Sequence, residues 1–113
     1  MQCQRILDHS EVCTCPSRGL VQESFYDKFM ERAVAREAKI KAGNSLLPTT
    51  RMGPQVSKEQ MNSIINYIKI GKEEGAKCLT GGDRAHLGGD LENGNFLQPT
   101  VFSGNNNMRI FQE

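Results

Sequence analysis

The chain predicts an α/β fold that is incomplete by itself, with two helices packed on a few strands. Three features point to it. Apolar residues recur at helical spacing over residues 24–42 and again over residues 57–75. Short apolar runs, bounded by Gly and Pro, fall at residues 19–22, 76–80 and 95–102. Both helices have apolar faces that need a sheet, and this much strand is too little to cover them.

The first helix is predicted to start at Ser24, with Asp27 in its first turn, where an acid suits the helix dipole. Phe25, Phe29 and Ala33 recur every four residues, flanked by Met30 and Val34, and form its apolar stripe. Glu31, Arg32, Arg36, Glu37, Lys39 and Lys41 read as the solvated face, and Gly43-Asn44 as the stop. A loop punctuated by Pro48, Gly53 and Pro54 follows. The second helix opens on a capping box, with Ser57 as N-cap and Gln60 reaching back. Met61, Ile64, Ile65 and Ile68 supply its buried stripe, Gly71 interrupts it mildly, and Gly75 ends it. Residues 76–80 read as a strand closed by Gly81-Gly82, with Cys78 a buried, inert thiol. Residues 83–94 form a polar surface loop in which His86 has no assigned role. In the strand at 95–102, Pro99 argues for an edge or a bulge. A turn at 103–107 then leads into a short extended segment at 108–111.

Composition narrows the function. With 113 residues there is room for one ordinary domain, and no internal repeat or low-complexity linker divides it. Charged residues make up 24% of the chain, signs are interspersed and the net charge is +1, so no field draws it to nucleic acid or an anionic membrane. Aromatics are few and Trp is absent, which disfavours a base-stacking surface. No apolar run approaches the ~20 residues that span a bilayer. The first residues lack a signal-peptide apolar core, so a soluble cytoplasmic protein is expected.

Chemistry concentrates in Glu11-Val12-Cys13-Thr14-Cys15-Pro16-Ser17-Arg18. A thiol in a turn beside a strand end is exposed and held still, and it becomes a nucleophile where its thiolate is favoured. Bridging Cys13 to Cys15 would close a strained ring, so reduced thiols are expected. A zinc site would have to draw on His9, Cys78 and His86 at spacings unlike those of known zinc ligands.

The same stretch resembles the nucleophile segment of the aldehyde dehydrogenase superfamily, especially its bacterial branch acting on small aldehydes. The similarity continues through Ser24-Phe25-Tyr26-Asp27-Lys28-Phe29, Gly53-Pro54-Gln55-Val56 and Gly71-Lys72-Glu73-Glu74-Gly75-Ala76-Lys77. Leu79-Thr80-Gly81-Gly82, Gln98-Pro99-Thr100-Val101-Phe102 and Met108-Arg109-Ile110-Phe111-Gln112-Glu113 follow in the family's order. Two departures stand out: Asp8-His9-Ser10 where the family reads Asn-Gln-Gly, and Ser45 where it has Pro. The resemblance therefore covers a partial catalytic domain over residues 11–113, preceded by a divergent stretch over residues 1–10, with no cofactor-binding domain.

The resemblance implies that Cys13 is the nucleophile. It attacks the aldehyde carbon to give a thiohemiacetal, hydride passes to NAD, and water cleaves the thioester. The backbone N–H of Cys13 would be one oxyanion donor, and Arg18 would tie the turn to the domain. Gln60 matches a position near the cofactor, although its capping role accounts for it without a ligand. The family's general-base glutamate, oxyanion asparagine and phosphate-binding glycine turn lie upstream of the matching region, and its ribose-binding glutamate lies one residue beyond Glu113. The expectation is a partial aldehyde dehydrogenase, inactive alone, that self-associates or docks on other aldehyde dehydrogenase chains. A small aldehyde would be the family's substrate, and NAD would not be bound by this chain alone. The alternatives are an interaction module pairing with such chains, or a cofactor-free cysteine hydrolase using Cys13 with His9.

Overall fold

The computed structural model describes residues 18–112. Five elements organise them: α1 (Tyr26–Glu37), α2 (Lys58–Glu73), β1 (Lys77–Thr80), β2 (Val101–Ser103) and α3 (Arg109–Gln112). Short 3-10 turns stand at Glu23–Phe25 and Gly89–Leu91. The two strands pair antiparallel, Lys77 opposite Ser103 and Cys78 opposite Phe102, with an irregularity between Cys78 and Thr80. The α/β character and the small amount of strand are as the sequence predicts.

The second helix follows its sequence signals closely. Ser57 adopts extended backbone angles and its Oγ accepts the Gln60 N–H at 3.1 Å, satisfying one of the orphan donors of the first turn. At the other end Gly75, with φ of 87°, closes a Schellman turn. Its N–H donates to the Lys72 carbonyl, and the Ala76 N–H donates to that of Gly71. Met61 and Ile68 are buried, and Met61 joins Met52 and Leu97 in the core, with Ile40, Ala42, Ile64 and Ile65 packed around them.

The first helix is shorter than predicted. It begins at Tyr26 after a 3-10 turn and ends at Glu37, five residues before the predicted end at 42. Ile40 and Ala42 both pack on the core, and their spacing of two suits extended backbone. Residues 41–43 accordingly pair beside Met52: the Arg51 and Met52 N–H groups both donate to the Lys41 carbonyl, and Gly43 donates to that of Met52. Gly43 is no helix stop. A Cβ there would lie 3.2 Å from Thr50 Oγ1, so the glycine serves close packing. The inward face of α1 is also rotated from the predicted stripe. Met30, Ala33 and Val34 are half-buried, Phe25 and Phe29 are exposed, and Glu37, assigned above to solvent, is buried at 4% exposure. Glu37 lies seven residues after Met30 and four after Ala33, and so falls on the same face.

Four further expectations are corrected. Residues 19–22 lie in no strand, and Leu20 is fully exposed. The strand at 95–102 contracts to Val101–Ser103, although Phe96 and Leu97 are buried and Leu97 bridges to Arg84. The backbone before β2 instead presses on Gly81, where a Cβ would sit 2.1 Å from the Pro99 carbonyl oxygen. Residues 109–112 are helical rather than extended. Cys78 is half-buried, with Sγ 3.4 Å from the Thr80 carbonyl oxygen.

The 83–94 loop is ordered by side chains. Arg84 Nη2 donates to the carbonyls of Glu92 and Gly94, and Glu92 accepts from the Gly88 N–H while contacting His86 Nδ1 at 2.7 Å. His86, left without a role above, therefore has a carboxylate partner.

Candidate active site

Arg18 is the described residue nearest in sequence to the predicted nucleophile; Cys13 and His9 lie outside the described residues. The Arg18 guanidinium donates through Nη1 to the Phe111 carbonyl at 2.7 Å, across 93 residues of chain. The family resemblance implies such a structural role for Arg18. The helix it reaches, α3, is also held against α2 by three contacts. Ile110 packs so closely on α2 that a Cβ at Gly71 would fall 2.8 Å from Ile110 Cδ1. The Arg109 N–H, an orphan donor in the first turn, gives its proton to Glu74 Oε2 at 2.9 Å. The Arg109 guanidinium stands 5.7 Å from the centre of the Tyr67 ring, within cation–π range. Sequence reasoning assigned nothing to Glu74, Tyr67 and Arg109. Their contacts join residues 35 or more positions apart, so no local pattern reveals them.

After Arg18 the chain forms the wall of an open apolar groove of about 400 Å³, lined by Arg18, Gly19, Leu20, Val21, Gln22, Phe25 and Phe29.

Gln60 is exposed in the first turn of α2. Its backbone N–H, and not its carboxamide, makes the capping contact with Ser57. Hydrogen bonds from its own backbone N–H and then from the Ser57 side chain hold the Glu59 carboxyl below the ordinary 4.5. The capping account therefore leaves the Gln60 carboxamide unused.

Gly81 is packed against the Pro99 carbonyl. At Gly88-Gly89 the Gly88 N–H donates to the Glu92 carboxylate at 2.9 Å. Among the described residues no group of three or more His, Cys, Asp or Glu side chains could hold a metal, and no helix is long and apolar enough to cross a membrane.

The profile described as "Aldehyde dehydrogenase family" matches residues 4–113. The chain belongs to the aldehyde dehydrogenase family. It is 59% identical over 107 residues to an aldehyde dehydrogenase of Rhodospirillum rubrum, and 57% identical over 107 residues to acetaldehyde dehydrogenase 2 of Cupriavidus necator. Each alignment covers 95% of this chain and 21% of the relative. This aldehyde dehydrogenase chain thus spans about one fifth of the length of the curated relatives it matches. Its fold superposes on HpcC of Thermus thermophilus with a TM-score of 0.88 at 40% identity, over 99% of this chain and 24% of that one. The NAD+ complex of aldehyde dehydrogenase from Bacillus cereus superposes with a TM-score of 0.88 at 37% identity, over 98% of this chain and 22% of that one.

Proposed function

We propose that this chain carries the nucleophilic cysteine segment of an aldehyde dehydrogenase, that Cys13 is the nucleophile, and that these 113 residues do not turn over aldehyde alone. The observation that carries the proposal is the family match across residues 4–113, which takes in Cys13 and Arg18 together. A betaine aldehyde dehydrogenase of Staphylococcus aureus, 44% identical over 90% of this chain, was solved with NAD+ and a BME-modified cysteine, which supports reading a reactive thiol in the family.

In the proposed reaction the Cys13 thiolate adds to the carbonyl carbon of a small aldehyde. A carbon–sulfur bond forms and the carbonyl oxygen becomes an oxyanion, which the Cys13 N–H helps to hold. NAD, where the rest of the fold binds it, supplies the hydride acceptor that makes the overall change an oxidation. Arg18 contributes through its bond to the Phe111 carbonyl of α3. The Gln60 carboxamide, exposed and free of the capping contact, is the group on this chain proposed to face the cofactor. A cytoplasmic setting fits a nucleophile that must stay reduced.

A second reading, an interaction module that pairs with aldehyde dehydrogenase chains or with itself, is favoured by the exposed apolar groove. The first reading is tested by NADH formation from acetaldehyde and NAD. The purified 113-residue chain is expected to give no sustained NADH, and sustained turnover by it would overturn the proposal.

A further inference from the structure

We propose that Asn93 is a site of spontaneous deamidation, and that its isoaspartyl product undoes the hydrogen bonds that order the 84–94 loop. Asn93-Gly94 is the one Asn-Gly pair in the chain. Asn93 is exposed, and its carboxamide makes no hydrogen bond with the described residues. The carboxamides of Asn44 and Asn105 differ: each accepts a backbone N–H, at 3.0 and 2.9 Å. Packing dictates the glycine at 94. A Cβ there would lie 2.7 Å from Cδ2 of buried Phe96 and 3.1 Å from the Leu91 carbonyl oxygen. The missing Cβ also leaves the Gly94 nitrogen open to the side chain before it. The packing that fixes Gly94 thus creates the reactive pair.

In the reaction the Gly94 amide nitrogen attacks Cγ of Asn93. A carbon–nitrogen bond forms to close a succinimide, and the side-chain nitrogen leaves as ammonia, carrying the former Gly94 amide proton. Water then adds to either ring carbonyl and opens the ring to aspartate or isoaspartate, with no change of oxidation state. The Gly94 N–H donates to the Leu91 carbonyl at 3.0 Å, so attack proceeds from molecules in which this surface turn has opened.

The position of Asn93 makes the product disruptive. Arg84 Nη2 donates to the carbonyls on either side of it, Glu92 at 2.8 Å and Gly94 at 3.0 Å. Isoaspartate routes the main chain through the former side chain and places an additional carbon between those carbonyls. A single nitrogen then no longer meets both in bonding geometry. Arg84 also bridges to Leu97, and beside it the Ala85 N–H donates to the Phe96 carbonyl. Losing the clamp therefore loosens the pairing that carries buried Phe96 and Leu97.

The test ages the 113-residue chain in mildly alkaline buffer and follows it by peptide mapping. A gain of one mass unit should appear at Asn93 at least about tenfold faster than at Asn105, Asn106 and Asn107, which are also exposed but precede larger residues. An isoaspartyl methyltransferase should label the product, and Asn93→Gln should abolish the label. In aged protein, hydrogen exchange at Ala85 and Gln98 should quicken by about fivefold or more, the effect of losing one hydrogen bond, with Ile64 and Ile68 unchanged. Freshly prepared Asn93→Asp, which gains the charge without lengthening the main chain, should exchange like fresh wild type. The site is refuted if Asn93 converts no faster than the other three, or if Asn93→Gln is labelled equally. The structural consequence is refuted if isoaspartate-bearing protein keeps its protection, or if fresh Asn93→Asp has already lost it.

Discussion

Arg18 donates a 2.7 Å hydrogen bond from Nη1 to the Phe111 carbonyl, joining residues 93 positions apart. Phe111 sits in a four-residue helix too short to stand alone, since a single turn does not recover its nucleation cost. That turn persists through its contacts with Arg18, Glu74 and the α2 surface at Gly71. Arg18 and the α2 surface at Gly71 and Glu74 are thus fastened to one helix.

Arg18→Ala should loosen α3 before it unfolds the core. The lost contact is exposed and charge-assisted, so about 1 kcal/mol of global stability is at stake. Hydrogen exchange at Ile110 and Phe111 should accelerate, while exchange at Ile64 and Ile68 stays slow. Unchanged exchange at Phe111 would show that the bond does not hold the helix.

Two glycines should respond very differently to alanine. At Gly75 a Cβ meets nothing within 4 Å, so Gly75→Ala costs only the left-handed backbone, about 1 kcal/mol. At Gly81 the same substitution adds a Cβ 2.1 Å from the Pro99 carbonyl oxygen and should cost roughly 3 kcal/mol or more. Urea unfolding of both variants checks the order, and equal losses would refute the close approach at Gly81.

Acid should release the 84–94 loop. Hydrogen bonds from His86 and then from the Gly88 N–H hold the Glu92 carboxyl below its ordinary 4.5. A carboxyl lowered in the folded state contributes stability that is complete above 4.5 and is lost as the pH falls through the lowered value. Glu92→Gln should therefore flatten the fall in stability below pH 4.5, measured by urea unfolding across that range. An unaltered acid slope would mean that Glu92 does not contribute it.

Signals written in adjacent residues were legible in the sequence. Ser57 before Gln60, and Gly75 after a helical stripe, mark the ends of α2 because caps are local chemistry. The Arg18 tie was legible too, though only through the family resemblance. The end of α1 was not, because Ile40 and Ala42 leave the helix to reach a core built by Met52, Met61 and Leu97. Burial of Glu37 was hidden by the charged residues around it, which mimic a solvated face. The helical state of 109–112 depends on Gly71 and Glu74, more than thirty residues earlier. Residues 19–22 carry the pattern of a buried strand, but this chain supplies no strand beside them among the described residues.

The most direct test of Cys13 as the nucleophile is its rate of alkylation by limiting iodoacetamide, read by peptide mapping against Cys15 and Cys78. An activated thiol should react faster than both, by about tenfold or more over half-buried Cys78, and should keep reacting below the ordinary cysteine pKa of about 8.5. Equal or slower alkylation of Cys13 would contradict its assignment.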